Sequence, residues 1–245
     1  MNRIELIGVE GLPEIRAGDD LADLVRTRAA LAPGDVLVVA QKVISKAEGR
    51  LVDLDTVKAG EKAIEIAARL IAAPDPRVVQ VVLDESVRVV RSERVLITET
   101  RHGFICANGG VDHSNVGGRN ILSLLPDDPD ASAARLRGRL RELTGVDAGV
   151  IVSDTFGRPW RIGIVNVALG VAGLPATIDL RGTVDDAGHS LYATVLAIAD
   201  EIAAAAGIVM GKTSRIPAVI VRGLHLEGGG TGHDLIRPRA EDLFR

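Results

Sequence analysis

This sequence predicts a mixed α/β or α+β fold, on three observations. Short apolar runs alternate with helix-period segments along the chain, Gly and Pro punctuate the joins, and no internal repeat or low-complexity linker interrupts the pattern. A chain of 245 residues makes one large domain or two small ones and buries roughly 70–75% of its unfolded surface without disulfides. Any division into subdomains is therefore expected to be by interleaving.

Residues 4–9 read as the first strand. Asp19 and Asp20 offer N-caps for a helix running to residue 31, where Pro33 and Gly34 stop it. Residues 35–40 form a compact buried strand, followed by a polar segment over 41–50. Residues 57–72 have helical spacing, and Pro74 and Pro76 punctuate its end. The stretch 78–90 is apolar enough for a buried helix or a pair of strands, which period alone does not separate. Residues 95–98 and 104–107 read as paired strands leading into a glycine-rich stretch over 109–118. Asp130 is expected to cap a helix with Leu136, Leu140 and Leu143 on one face, ending at Gly145. Residues 149–153 are a second buried strand that runs straight into Asp154 and Thr155. Eight Gly or Pro among the positions 156–189, interleaved with aliphatic residues, predict a β-rich segment with several turns. A helix over 191–206 and a strand over 218–222 close the core.

Composition narrows the function. Aromatics are 2% of the chain and the formal net charge is −4. Single-strand nucleic-acid platforms combine stacking aromatics with a basic groove, so no nucleic-acid partner is expected. The lone Cys106 forms neither an intramolecular disulfide nor a Cys-rich zinc site, which points to a reducing, cytoplasmic compartment. The N-terminal MNRIELIGVEG lacks the features of a signal peptide, and no apolar run approaches the ~18 residues of a membrane span. No membrane partner is expected.

Two motif matches fail. GIVMGKT (207–213) has three residues between its glycines where a P-loop needs four, and it lies between a helix and a strand in the wrong order. The glycines at 228–230 and 232 miss the dinucleotide fingerprint because His233 stands at its last position. Asp112, among glycines, and Asp154, at a strand end beside the Thr155 hydroxyl, are stronger candidates. Two carboxylates with a hydroxyl and water suit Mg²⁺ or Mn²⁺ whose other positions are phosphate oxygens. The alternative is an Asx-turn at Asp112 and a capping role for Asp154. Lys42, Lys46 and Lys212 could neutralise phosphate, or could be solvated surface residues. His113 is a ligand, a base or an exposed turn residue. Arg135, Arg137, Arg139 and Arg141 spread around their helix and are read as its solvent face. Arg158 and Arg161 bracket Trp160 close to Asp154, where they could hold a polyanionic substrate or be solvated beside a packed Trp.

Taken together, ISKAEGR (44–50), DPRVVQVVLDES (75–86), GGVDHSNVG (109–117), SDTFGRPWR (153–161), IADEIAAAAGIVMGK (198–212) and IPAVIVRGL (216–224) resemble the gamma-glutamyl ligase family of coenzyme F420 biosynthesis. Six motifs in the same order cover nearly the whole chain. The resemblance implies an α+β fold of two intertwined domains, with mixed and antiparallel sheets flanked by helices, assembled as a homodimer. It implies a GTP-dependent ligase that adds L-glutamate to F420-0, then further gamma-linked glutamates, releasing GDP and phosphate. GTP is the cosubstrate, with one or two Mg²⁺ or Mn²⁺ ions and K⁺ as a further candidate ion. Asp112 and Asp154 are similar to metal-ligating carboxylates, and Thr155 to the ligand of a second metal. Leu12, Pro13, Glu14, Ile15, Gln41, Lys42, Lys46, Asn115, Met210, Gly211, Lys212 and Thr213 are similar to the GTP-contacting positions. Asp112, Asp154 and Lys212 would carry the chemistry, with Arg158 and Arg161 as substrate contacts.

The implied chemistry is an acyl-phosphate route, in which charge screening and orientation replace a side-chain nucleophile. Two departures stand out. Archaeal members of the family carry Gln or Glu at the position of Lys212, where it helps bind the second metal; an ammonium cannot ligate a cation, so dependence on a second ion is expected to be weaker here. Some bacterial relatives carry a fused flavin-binding domain, and none is expected in this sequence. Two other functions stay open at this stage: a paralogous ligase acting on another carboxylate acceptor, and a non-catalytic F420-binding partner.

Overall fold

The structure is a computed structural model that describes residues 3–113 and 120–242. Its centre is a five-stranded sheet of β1 (Glu5–Gly8), β12 (Ala218–Arg222), β2 (Val36–Ala40), β8 (Gly149–Arg158) and β9 (Arg161–Ala172), in that spatial order. Only the β2–β8 pair is parallel. Side chains of these strands alternate between two cores, as the two-residue period of a strand requires. Leu37, Val39, Val150, Val152 and Ile220 pack with α1 (Leu21–Arg26), α2 (Gln41–Ala47) and α5 (Pro129–Thr144). Val36, Val38, Ile151, Val219 and Val221 pack with α6 (Ile198–Met210) on the other face. The near-continuous apolar runs of β2 and β8 follow, because each is buried on both faces.

Residues 51–124 build a core of their own. Strands β3 (Leu51–Asp53) and β7 (Ile121–Ser123) pair at its base. Helices α3 (Glu61–Arg69) and α4 (Pro76–Asp84) pack with the meander β4 (Ser86–Ser92), β5 (Leu96–Thr100), β6 (Ile105–Ala107) around Leu54, Ala63, Val79, Val82, Leu96 and Leu122. Arg50 stands where the chain enters and leaves this unit: its Nε donates to the Leu125 carbonyl at 3.1 Å and its Nη2 to Glu85 at 2.9 Å. Strand β6 lies against β8, so this unit reaches the end of the central sheet. Two short strands, β10 (Ile178–Asp179) and β11 (Val195–Leu196), pair outside both cores.

Five local expectations need correction. Helix α1 ends at Arg26, short of residue 31. The polar segment after β2 is the helix α2; its N-cap, Ala40, makes no side-chain capping bond, so nothing in the sequence marks its start. The ambiguous stretch 78–90 is partly helix and partly strand, α4 followed by β4, with the break at Glu85. The cap of α5 is Asp128, whose carboxylate accepts from Ala131 N at 2.9 Å with Pro129 behind it in the first turn. Asp130 instead ties the helix to its surroundings, accepting from Val171 N at 2.8 Å and Gly232 N at 2.6 Å. The last helix begins at Ile198 and runs on to Met210, because β11 and a turn take up residues 191–197.

Candidate active site

Ligands of α/β sheets settle at the carboxyl ends of parallel strands. Here the parallel pairing of β2 with β8 ends at Ala40 and Ser153, where β2 stops and β8 runs on beside β9. A cleft of about 750 Å³ opens at that edge, lined by segments from four parts of the chain. The loop after β1 supplies Leu12, Pro13, Glu14 and Ile15; α2 supplies Gln41, Lys42 and Lys46; β8 supplies Asp154 and Thr155; the turn after α6 supplies Met210, Gly211, Lys212 and Thr213. A second cleft, about 720 Å³, lies at the opposite end of the same strands. Volume does not choose between them, but chemistry does. In the second cleft Asp35 is held by Arg222 at 2.7 Å and Asp147 by Arg137 at 2.6 Å, whereas the first gathers lysines around a carboxylate.

Each lysine of the first cleft already meets an oxygen. Lys42 Nζ lies 2.7 Å from Asp112 Oδ2, Lys46 pairs with Glu14, and Lys212 Nζ donates to Thr155 Oγ1 at 2.6 Å. Asp112 is positioned by its backbone, which exchanges two hydrogen bonds with Ser123 at the end of β7. Burial pushes the Asp154 carboxyl up to about 6. The Thr155 amide at 2.8 Å and the ammoniums of Lys212 and Lys42 pull the other way, and Asp112 adds a like charge. A half-buried carboxylate facing a second carboxylate is relieved by a cation between them. The donors are all hard oxygens, two carboxylates and a hydroxyl, so the set fits Mg²⁺ or Mn²⁺ completed by phosphate and water. Among the described residues no group of three or more His, Cys, Asp or Glu side chains gathers to form a self-sufficient protein cage.

The sheet thus brings together Asp154, Thr155, Lys42, Lys46 and Lys212, with Asp112 joined through Lys42. Asn115 lies outside the described residues. Arg158 and Arg161 stand apart from the cleft, flanking the two-residue turn of the β8–β9 hairpin with Trp160 exposed between them. Arg158 Nη2 spends a hydrogen bond on the Ile162 carbonyl at 3.1 Å. His113 is exposed. Three of the arginines of α5 pair with acids: Arg135 with Glu48, Arg137 with Asp147, Arg139 with Asp20 and Glu142.

Sequence reasoning missed Asn166 and Arg215, which also line the cleft. Asn166 had a signal: it is the one polar side chain in the apolar run 162–172, and it pairs with Thr155 across the hairpin. Cys106 lies close enough to Asp154 to feel its charge. Burial and that charge push its thiol up to about 12, so it stays protonated and is no nucleophile.

Comparison with known proteins places this geometry in a lineage. The family model described as F420-0:Gamma-glutamyl ligase matches residues 11–223, which includes the cleft-lining segments from the β1 loop to the turn after α6. The chain belongs to that family. It is 45% identical to the coenzyme F420:L-glutamate ligase of Methanothermobacter thermautotrophicus, over 99% of both chains. It is 44% identical to that of Methanocaldococcus jannaschii and 46% to that of Methanopyrus kandleri, covering 99% of this chain and 97% of each relative. Among the described residues no helix of this family member is long and apolar enough to cross a membrane.

Proposed function

We propose that this protein is a GTP-dependent ligase that joins L-glutamate to the carboxylate of F420-0, and then adds gamma-linked glutamates, through an acyl phosphate. The observation that carries this reading is the cleft itself. Four segments far apart in sequence meet at one sheet edge with three lysines, a half-buried carboxylate and room for a nucleotide, and the relatives that match along the full chain are named coenzyme F420:L-glutamate ligases.

The residues suit the chemistry. A carboxylate is a poor acylating agent, so its oxygen attacks the γ-phosphorus of GTP and GDP leaves. The glutamate amine then attacks the acyl carbon, losing a proton, and phosphate departs as the C–O bond breaks. Both steps bring anions together, and the barrier falls when fixed positive charge meets the phosphoryl oxygens. Lys42 and Lys46 come from one turn of α2, and Lys212 faces them from the turn after α6, so the phosphates would lie between. A divalent ion held by Asp112 and Asp154 would supply further charge neutralisation there. Lys46, buried and paired with Glu14, would exchange that carboxylate for phosphate as nucleotide enters. Holding donor, acceptor and amine in one cleft supplies much of the rate by orientation.

We further propose a homodimer acting in the cytoplasm. The single buried, unpaired cysteine is in keeping with a reducing compartment. The hairpin β8–β9 extends beyond the core with Trp160, Ile162 and Ile164 exposed, an apolar surface of the kind that marks an interface.

Incubation with F420-0, GTP, Mn²⁺ and L-glutamate, followed by mass spectrometry, tests the activity. Addition of glutamyl units with stoichiometric GDP is expected. GTP turnover that requires a different carboxylate acceptor, or F420-0 binding without turnover, would overturn it.

A further inference from the structure

The oxygens that could hold cations in the cleft do not all remain open to one. Thr155 Oγ1 accepts from Lys212 Nζ at 2.6 Å, and the divalent ions that hard oxygen donors hold sit roughly 2.0–2.2 Å from each donor. An ammonium at that distance occupies the space in front of the hydroxyl that such an ion needs. The turn that carries Lys212 toward Thr155 is set locally: Gly211 ends α6 with a positive φ of 53°, and the Ser214 hydroxyl closes the turn onto the Met210 carbonyl.

We infer that Lys212 is a built-in cation, its ammonium standing beside Thr155 where a second divalent ion would bind, so that the cleft loads a single divalent ion with each nucleoside triphosphate, between Asp112 and Asp154. Donor number supports this. Two carboxylates serve one ion that takes its remaining ligands from phosphate and water, and among the described residues no larger cluster of metal-binding side chains exists to serve two. Charge agrees, because a lysine fixed in the site screens the phosphates permanently, as a second ion would only when bound. The inference rests on the reading of this cleft as a nucleotide site.

Bound Mn²⁺ is counted by electron paramagnetic resonance of the free ion, with a non-hydrolysable GTP analogue at saturation. The wild type is expected to take one ion per chain. In Lys212→Gln, where a neutral amide oxygen replaces the ammonium, a second ion is expected. In Lys212→Met, which keeps length but neither charge nor donor, the analogue is expected to bind about tenfold more weakly at fixed Mn²⁺. Two tight ions in the wild type, one ion in Lys212→Gln, or an unchanged analogue affinity in Lys212→Met would overturn the role of Lys212. A parallel calorimetric titration of wild type with the analogue and excess Mg²⁺ separates the underlying reading: no binding there would overturn the nucleotide site itself, whatever the ion count.

Discussion

Asn166 on β9 and Gly207 on α6 are fitted to one another: a Cβ at position 207 would stand 2.9 Å from the Asn166 Cγ. Asn166 lines the cleft, and its Nδ2 reaches the Met210 sulfur at 3.5 Å. The glycine therefore sets how closely the helix carrying the Met210–Thr213 turn approaches the strand opposite Thr155. Gly207→Ala gains roughly 0.5–1 kcal/mol of helix propensity and loses it again to the clash, since overpacking costs about 1–3 kcal/mol. The fold is expected to survive with the turn displaced. GTP affinity measured by calorimetry is expected to fall about five- to tenfold; unchanged affinity would detach Gly207 from the site.

Asp154 is expected to trade stability for function. Its carboxyl is raised from 3.8 to about 6, so between about pH 4 and 6 the native state binds more protons than the unfolded chain. Stability from this group is therefore lost as pH rises through that window and stays lost above it. Asparagine does not titrate. Asp154→Asn should stabilise the ligand-free protein at pH 7.5 by on the order of 1–3 kcal/mol, with the gain shrinking as the pH falls from 6 to 4. Turnover should drop at least about a hundredfold. Thermal melts across pH 4–8 and an initial-rate assay check both halves; a melt difference that does not vary with pH would refute the linkage.

How much of this was readable in the sequence follows from what each feature depends on. Strands β2 and β8 were legible because burial on both faces makes them continuous apolar runs, and Asp154 was legible because a carboxylate ending such a run is conspicuous. Helix α2 was not: it begins without a capping side chain, and its burial of Gln41, Ser45 and Lys46 contradicts the polar reading of those residues. Asp130 looked like a cap because any Asp before a helical pattern does, whereas its partners, Val171 and Gly232, are distant in sequence. The false P-loop at 207–213 was rightly rejected as a motif, yet the same residues line the cleft, because tertiary packing brings that turn to the sheet edge. The pairing of Lys212 with Thr155 joins positions 57 apart and has no local signal at all.

Gly170 is expected to be intolerant of any side chain. A Cβ there would lie 2.1 Å from the Pro129 carbonyl oxygen, and backbone at the start of α5 cannot swing aside as a flexible side chain can. Asp130 bonded to Val171 holds that approach in place. Gly170→Ala should therefore destabilise the fold by about 3 kcal/mol or more, read as a lower denaturation midpoint in urea. A loss below about 1 kcal/mol would mean that α5 and β9 separate more easily than their hydrogen bonds suggest.

The β8–β9 hairpin makes a prediction about assembly. Ile162 is fully exposed and Trp160 and Ile164 are mostly so, on a strand pair that carries Asp154 and Thr155 at its middle. Leaving three large apolar side chains in water forfeits about 1.5–3 kcal/mol for each that burial would recover, which a second copy of the chain could supply. Ile162→Glu places a charge in that surface and touches nothing in the core. By light scattering after gel filtration, the wild type is expected to run as a dimer and Ile162→Glu as a monomer of unchanged circular dichroism. Because the same two strands lead to the carboxylate, the monomer should also lose activity; a dimer indifferent to this substitution would place the interface elsewhere.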